Sequence, residues 1–320
     1  VTVLDGAVRF SHPLVAAAIV RLASAAERRD AHLEIAESLS DTVDLDRRAW
    51  LLAAAADGPD ESVAALLEAA AGRARTRGGF AAQAAALARA ADLSPSSDEA
   101  ARRLVDAAAA AYWSGDSGLA MSLVERAAPL ARSDPVLRAA AIHRLAVIAD
   151  WHGQWQDRAL STPALEELAS EVAPVDPARA VGLLGVVLQR RFQALETDSA
   201  LELAERRLAM AESADLGEER RMLAVQDLAR ATGLRGEAQR CAALCDEVLA
   251  SARENGAIGF ATNIAEPLMW LERDEDARLQ VEASVAEARR EGNLVRLAFE
   301  LTNLALLEVR VGAFVRALAI

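Results

Sequence analysis

From about residue 24 onward the hydrophobic positions recur at helical spacing, one helix after another. The stretch 236–254 shows the pattern most cleanly. Cys241, Leu244, Cys245, Val248, Leu249 and Ala252 follow i, i+3, i+4, i+7, i+8 and i+11, an apolar stripe that would face a core. Glu237, Arg240, Asp246, Glu247 and Arg253 take the opposite side. Breaks in the helical pattern fall near Gly79, Gly115, Gly153, Leu195, Gly236, Asp274 and Gly312, separated by 36, 38, 42, 41, 38 and 38 residues. Five residues after each break a small or apolar residue recurs: Ala84, Ala120, Ala200, Cys241, Leu279 and Ala317, with the third repeat slipping by one to Ala159. A close helix crossing needs a small side chain at the contact, which gives the recurrence a packing reason. Each repeat has room for two helices of roughly 15 residues. No single pair can bury both of its faces, so the pairs are expected to stack into a right-handed superhelix. The predicted class is all-α.

The opening residues read differently. Val1–Leu4 and Ala7–Phe10 are β-rich segments around Asp5-Gly6, the pair that best tolerates the positive φ angles of a tight hairpin turn. Ser11 can cap the helix that follows, with Pro13 in its first turn. A hairpin flush against a helix points to the remnant of a winged-helix segment. The predicted organisation is therefore 1–57 as the end of that segment with its linking helices, and 58–320 as helical repeats.

Composition narrows the function classes. Hydrophobic residues make up 53% of the chain but aromatics only 4%, so alanine and leucine, both strong helix formers, carry the apolar content. All 35 cationic residues are arginine, which codon bias explains without any mechanism. A net charge of −13 argues against this segment itself gripping nucleic acid or an anionic membrane. Two cysteines make no disulfide framework, no apolar run reaches about 18 residues, and no signal-peptide pattern opens the chain, so the expected location is the cytoplasm. The chain starts at Val1 and stops at Ile320 inside a helical pattern, which leads to the expectation that it is part of a longer regulator.

Three strings carry a resemblance. They are Val8-Arg9-Phe10-Ser11-His12-Pro13-Leu14 with Ala25-Ala26-Glu27-Arg28-Arg29-Asp30-Ala31-His32 and Ile35-Ala36-Glu37, then Asp46-Arg47-Arg48-Ala49-Trp50-Leu51-Leu52-Ala53-Ala54-Ala55 with Gly58-Pro59-Asp60-Glu61, and lastly Arg77-Gly78-Gly79-Phe80 running to Ala90-Ala91-Asp92-Leu93-Ser94-Pro95. Together they resemble the middle of large actinobacterial ATP-binding regulators of the LuxR type, relatives of the maltose-regulon activator. The resemblance covers residues 1 to about 95; beyond that only the repeat pattern continues it. It implies a signal-transduction ATPase before this stretch, a winged-helix segment, a tetratricopeptide-like superhelix, and a promoter-binding helix-turn-helix after it. The repeat of 36 to 42 residues is longer than the 34 or so of the standard tetratricopeptide unit. ATP and magnesium would belong to the ATPase. This stretch has no G-x-x-x-x-G-K-[ST] loop, and without lysine it cannot have one.

Several residues invite a chemical reading. Cys241 and Cys245 have an i, i+4 spacing that a metal can use, but they sit on the apolar stripe and nothing completes four ligands, which favours core packing. His12, His32 and His143 lack a nucleophile pattern and read as structural. Trp151-His152-Gly153-Gln154-Trp155 straddles a turn, and its two tryptophans can wall a ligand site or pack one hairpin on the next. Trp113 precedes Gly115 as Trp151 precedes Gly153, which favours packing. The acids Glu166-Glu167 and Asp274-Glu275-Asp276 do not make a glycosidase pair. Neighbours on a helix point about 100° apart, and twelve aromatics are few for stacking sugars. They read as solvated faces and helix-start acids. No catalytic or metal site is expected.

The expected binding surface is the concave face, lined by the first helix of each repeat near 134–151, 177–193, 217–233, 257–271 and 293–310. Its candidate ligand-contacting residues are Arg144, Trp151, Trp155, Gln189, Arg190, Gln226, Arg230, Asn263 and Asn303. Arginines among amides suit a small anionic or polyhydroxy ligand, or an acidic peptide. The expected function is effector sensing and protein interaction within an ATP-dependent LuxR-type regulator. The partner would be a small-molecule effector or regulatory protein, DNA would be met only through the downstream helix-turn-helix, and self-association is open. The alternative is a free-standing scaffold that binds peptides or proteins.

Overall fold

The computed structural model of the chain describes every residue except 1, 5–6, 11, 41, 153–159 and 256–263. Two short strands open it, β1 (Thr2–Leu4) and β2 (Ala7–Arg9), antiparallel with Val3 opposite Val8. Their Asp5-Gly6 turn and the proposed cap Ser11 lie outside the described residues. The cap of α1 (Pro13–Leu22) is His12, whose Nδ1 accepts the Leu14 N–H at 3.2 Å, with Pro13 at the first helical position. A capping box between Ser24 and Glu27 starts α2 (Ala25–Ser38), and α3 (Leu45–Ala55) packs between α2 and the first repeat.

Among the described residues the rest forms seven helical pairs. They are α4 (Glu61–Thr76) with α5 (Phe80–Asp92), α6 (Ser97–Trp113) with α7 (Ser117–Ala127), α8 (Pro135–His152) with α9 (Thr162–Val172), and α10 (Pro177–Gln193) with α11 (Thr197–Ser213). Then come α12 (Glu218–Leu234) with α13 (Ala238–Asn255), α14 (Ala265–Trp270) with α15 (Asp274–Glu291), and α16 (Leu294–Arg310) with α17 (Phe314–Ala319). The pairs wind as the right-handed superhelix that the period predicts.

Start signals explain where several of the helices begin. Asp60, Ser96, Asp116, Asp176 and Asn293 each accept a backbone N–H of the first turn, at 2.9 to 3.4 Å. A cap of this kind stabilises a helix by about 1 kcal/mol.

The sequence period turns out to be a backbone conformation. Gly78, Gly115, Leu195, Gly236, Glu272 and Gly312 all have positive φ and end the first helix of their pair. Each closes with two bonds, as at Gly115, whose N–H reaches the Tyr112 carbonyl at 2.9 Å while the Asp116 N–H reaches that of Ala111 at 3.0 Å. The break expected at Asp274 is corrected to Glu272, because Asp274 is already the first residue of α15. That moves the small contact residue from Leu279, which is 61% exposed, to Ala277, which is fully buried. Ala84, Ala120, Ala200 and Cys241 are fully buried as expected.

Cys241 and Cys245 lie in one core cluster with Val248, Leu249 and Leu268, confirming the stripe on α13. Its hydrogen bond with Cys241, and then burial, push the Cys245 thiol above its ordinary range. No helix among the described residues is long and apolar enough to cross a membrane.

Candidate functional site: a central cavity

The superhelix turns far enough for its last pairs to meet its first. Gly78 and Gly292, both at positive φ, touch backbone to backbone; a Cβ on Gly292 would sit 2.4 Å from the Gly78 oxygen. Beside them Val295 packs into the core cluster built by α5, α6, α7 and α8, and Leu294 approaches Gly115. α16 thus rests on α6 and closes the ring.

The closed ring surrounds a cavity of about 1210 Å³. Its wall comes chiefly from the first helices of the pairs, α4, α6, α8, α12 and α16, with α5 and α15 contributing at the closure. Phe80, Tyr112, Trp113 and Phe299 line it, four of the chain's twelve aromatic side chains. The Tyr112 and Trp113 rings lie 5.0 Å apart at 59°. The scarcity of aromatics along the chain therefore conceals a local concentration in the cavity wall. Charges of both signs share the wall, with Arg75, Arg144, Arg290 and Arg296 among Glu68, Asp106, Glu219, Glu291 and Glu300.

Two of these acids face different surroundings. Glu68 accepts from Arg102 and Arg103, both at 2.9 Å, and these bonds outweigh its burial to hold it below the ordinary glutamate range. It is a fixed anion rather than a proton donor. Asp106 opens on the cavity, with Arg102 at 3.4 Å as its ion-pair partner, and desolvation raises its pKa. Glu291 is held by Arg296 at 3.2 Å.

The nine candidates from the sequence scatter. Arg144 lines the cavity. Gln189 is exposed and bonds Arg230 at 2.9 Å. Arg230 lies 4.6 Å over the Phe192 ring and pairs with Glu266 at 2.7 Å, so it ties neighbouring pairs together. Two expectations are corrected. Arg190 is 6% exposed and pinned to Asp150 at 2.7 Å and to the Leu160 carbonyl, and Gln226 is wholly buried, so both brace the core instead of meeting a ligand. Asn303 is half-buried on α16 away from the cavity lining. Asn263, Trp155 and the side chain of Trp151 lie outside the described residues. Asp274 is a helix-start acid as expected, opening α15 and bonding Arg310 at 2.8 Å; Glu167 is exposed, whereas Glu166 is half-buried and pairs with Arg191.

Sequence reasoning missed α6 as a cavity wall. Continuing the period one repeat toward the N-terminus would have added it, with Asp106, Tyr112 and Trp113. The contribution of α5 and α15 had no such signal, because it depends on closure of the ring.

No protein-family model matches the chain, and no curated protein does. Solved structures do. One is a signal transduction ATPase with numerous domains, with a tetratricopeptide repeat sensor, from Pyrococcus horikoshii, at 14% identity and a TM-score of 0.50 over 91% of this chain. The chain spans 45% of that protein's length. A second is a Rap protein complexed with the competence and sporulation factor, at 10% identity and a TM-score of 0.52, covering 90% of this chain and 93% of that one. The fold is a tetratricopeptide-like superhelix. At these identities the likeness establishes architecture and nothing finer.

Proposed function

We propose that this superhelix is an effector-sensing and protein-interaction region that receives a small molecule or short peptide in its central cavity. The observation that carries this reading is the cavity within the ring, with its aromatic wall and mixed charge. A concave pocket that sets aromatic faces beside many charged and polar groups is suited to capture of a polar ligand. Closure is the natural point of regulation. A ligand that prefers the closed ring would tighten the contact between Gly78 and Gly292, and one that prefers the open ring would part it.

In the fuller form of the proposal the sensor belongs to an ATP-dependent LuxR-type transcriptional regulator. Residues 1–57 would then end a winged-helix segment and pass the closure state to an ATPase, with ATP and magnesium bound there and DNA met by a separate helix-turn-helix. The resemblance of the first 95 or so residues supports this, as does the architectural likeness to a signal transduction ATPase with a repeat sensor. The complete open reading frame tests it: a Walker loop upstream and a helix-turn-helix downstream are expected, and absence of both overturns it. The second reading, a free-standing scaffold for peptides or proteins, is favoured by the likeness to a Rap protein over nearly the whole of both chains. A thermal-shift screen of metabolites and short peptides tests the cavity under either reading. A binder raises the melting temperature by an amount that grows with the logarithm of its concentration over Kd, and a screen in which no compound does so counts against both.

A further inference from the structure

Three neighbouring side chains on α8 and α10 bury polar atoms that nothing among the described residues satisfies. Arg144 Nε, His143 Nδ1 and Arg179 Nε are shielded from solvent and make no hydrogen bond among the described residues. Native proteins rarely leave such atoms without a reason. Two more deeply buried arginines have their partners within the chain. Arg103 has Glu61, Glu68 and Ser94, and Arg207 has Asp227 and the Val181 carbonyl at 3.0 Å.

Arg144 differs from these in place as well as in partners. It faces the cavity, where the acid that acts on it, Asp106, gives its own contact to Arg102. Arg179 has Asp176 at 3.8 Å and no closer carboxylate. Burial first, and Arg179 second, lower the pKa of Arg144. Burial and the arginines 144, 179 and 207 hold His143 neutral, with its pKa pushed down to about 3. The imidazole lies against α10, 2.6 Å from where a Cβ on Gly182 would stand. Arg144 therefore faces an open cavity with the neutral His143 imidazole beside it, and Arg179, whose nearest carboxylate is Asp176 at 3.8 Å, stands behind the cavity lining.

We propose that Arg144 and Arg179, with His143 beside them, form an anion-binding subsite of the central cavity that takes the carboxylate or phosphate group of the ligand. This rests on the reading of the cavity as a ligand site. A guanidinium offers two parallel N–H groups that match the spacing of carboxylate or phosphate oxygens. An anion there satisfies the stranded donors and relieves the repulsion between the two arginines. The rest of the ligand lies over the aromatic wall. In the empty protein the subsite is a cost to stability retained for binding.

The test is thermal unfolding of the whole chain in chloride, inorganic phosphate and malonate at matched ionic strength, for the wild type and for Arg144→Met. Phosphate or malonate is expected to raise the melting temperature above that in chloride for the wild type only. The anion with the larger rise identifies the head group. Titration calorimetry with that anion should show binding at least about tenfold weaker in Arg144→Met, the loss of one charge-assisted contact. In chloride the variant itself should melt higher than the wild type, which a merely structural arginine would not allow. Equal anion responses in the two proteins, as general salt stabilisation would give, overturn the subsite, and so does a variant that melts lower in chloride. If Arg144→Met fails to fold, that too counts as a structural arginine, and Arg179→Gln measured in the same salts decides whether any anion site remains. Nile red, an uncharged dye, separates the two levels of the proposal. Dye uptake with an unchanged anion response refutes the subsite and leaves the cavity reading standing, whereas no dye uptake in either protein removes both.

Discussion

Arg103 and Arg144 stand on the first helices of successive pairs, α6 and α8, and both point into the protein, yet their surroundings are opposite. Arg103 is 2% exposed and lies at the seam between α4 and α6. There it donates to both oxygens of Glu61 at 2.6 and 3.0 Å, to Glu68 at 2.9 Å and to Ser94 at 2.6 Å. Its carboxylate partners raise its pKa above the ordinary arginine value, the Glu61 bond foremost. Arg144 stands at the cavity wall, its Nε unbonded, and burial pulls its pKa down. The difference separates an arginine that holds the stack from one that waits for a partner. In the first case the protein supplies the anion; in the second the anion must come from outside.

Removing the seam arginine sharpens this contrast most. Arg103→Met should lower stability to urea by about 2 kcal/mol, because Glu61 and Glu68 lose their shared partner. That is less than the 3–5 kcal/mol or so of a fully buried pair, since Glu61 is half exposed. A variant as stable as the wild type would mean that the seam network carries no weight.

Next in size is the closure, which can be separated from turn strain by comparing two glycines. Gly236 and Gly292 both have positive φ, so alanine at either costs backbone strain of about 1 kcal/mol. Around Gly236 there is open space, whereas a Cβ on Gly292 strikes the Gly78 oxygen. Gly292→Ala should therefore cost about 1–2 kcal/mol more than Gly236→Ala. It should also increase the radius of gyration in small-angle scattering, which Gly236→Ala should not. Equal behaviour of the two variants would show that the ring does not depend on this contact.

At the cavity wall the sign reverses. Arg144→Met should raise stability by about 1 kcal/mol in chloride, because a stranded buried donor disappears while the volume is kept. Chemical denaturation of this variant beside Arg103→Met gives opposite signs if the comparison of the two arginines holds, and the same sign if it does not.

The same contrast governs what could be read from the sequence. The stack was legible because its period is a local backbone event. The residue after each first helix must adopt positive φ, glycine does so without strain, and glycine stands there at Gly78, Gly115, Gly236 and Gly312. Where Leu195 and Glu272 take that conformation the signal fades. The run of acids that starts α15 drew the break two residues late, which is how Leu279 was mistaken for Ala277. The cavity was only half legible. An arginine on an amphipathic helix carries no mark of whether a carboxylate on the next pair will meet it, so Arg190 with Asp150 and Arg144 without a partner looked alike. Closure was not legible at all, because it sums the small rotation of every pair and brings Gly78 to Gly292 from opposite ends of the stack.

The smallest effect comes from pH, and it distinguishes the two regions by the range in which each titrates. At the seam, Glu61 and Glu68 have pKa values below the ordinary 4.5, so their stabilisation is complete above 4.5 and is lost as pH falls through the lower folded-state values. Behind the wall, beside Arg144, His143 is held neutral in the fold with a pKa of about 3, while the unfolded chain binds its proton near 6.5. Below 6.5 the unfolded state therefore gains protons that the native state refuses, and stability falls before the seam begins to titrate. Asp106 works the other way, because its raised pKa lets the fold take up a proton early and offsets part of that loss. Between pH 7 and 5.5 the net loss attributable to His143 should be about 1 kcal/mol or less. His143→Leu should flatten the stability profile there while leaving the steeper loss below 4.5 in place. An unaltered slope between pH 7 and 5.5 would mean that His143 is solvated in the fold, and the wall would then lack the desolvation that sets Arg144 apart from Arg103.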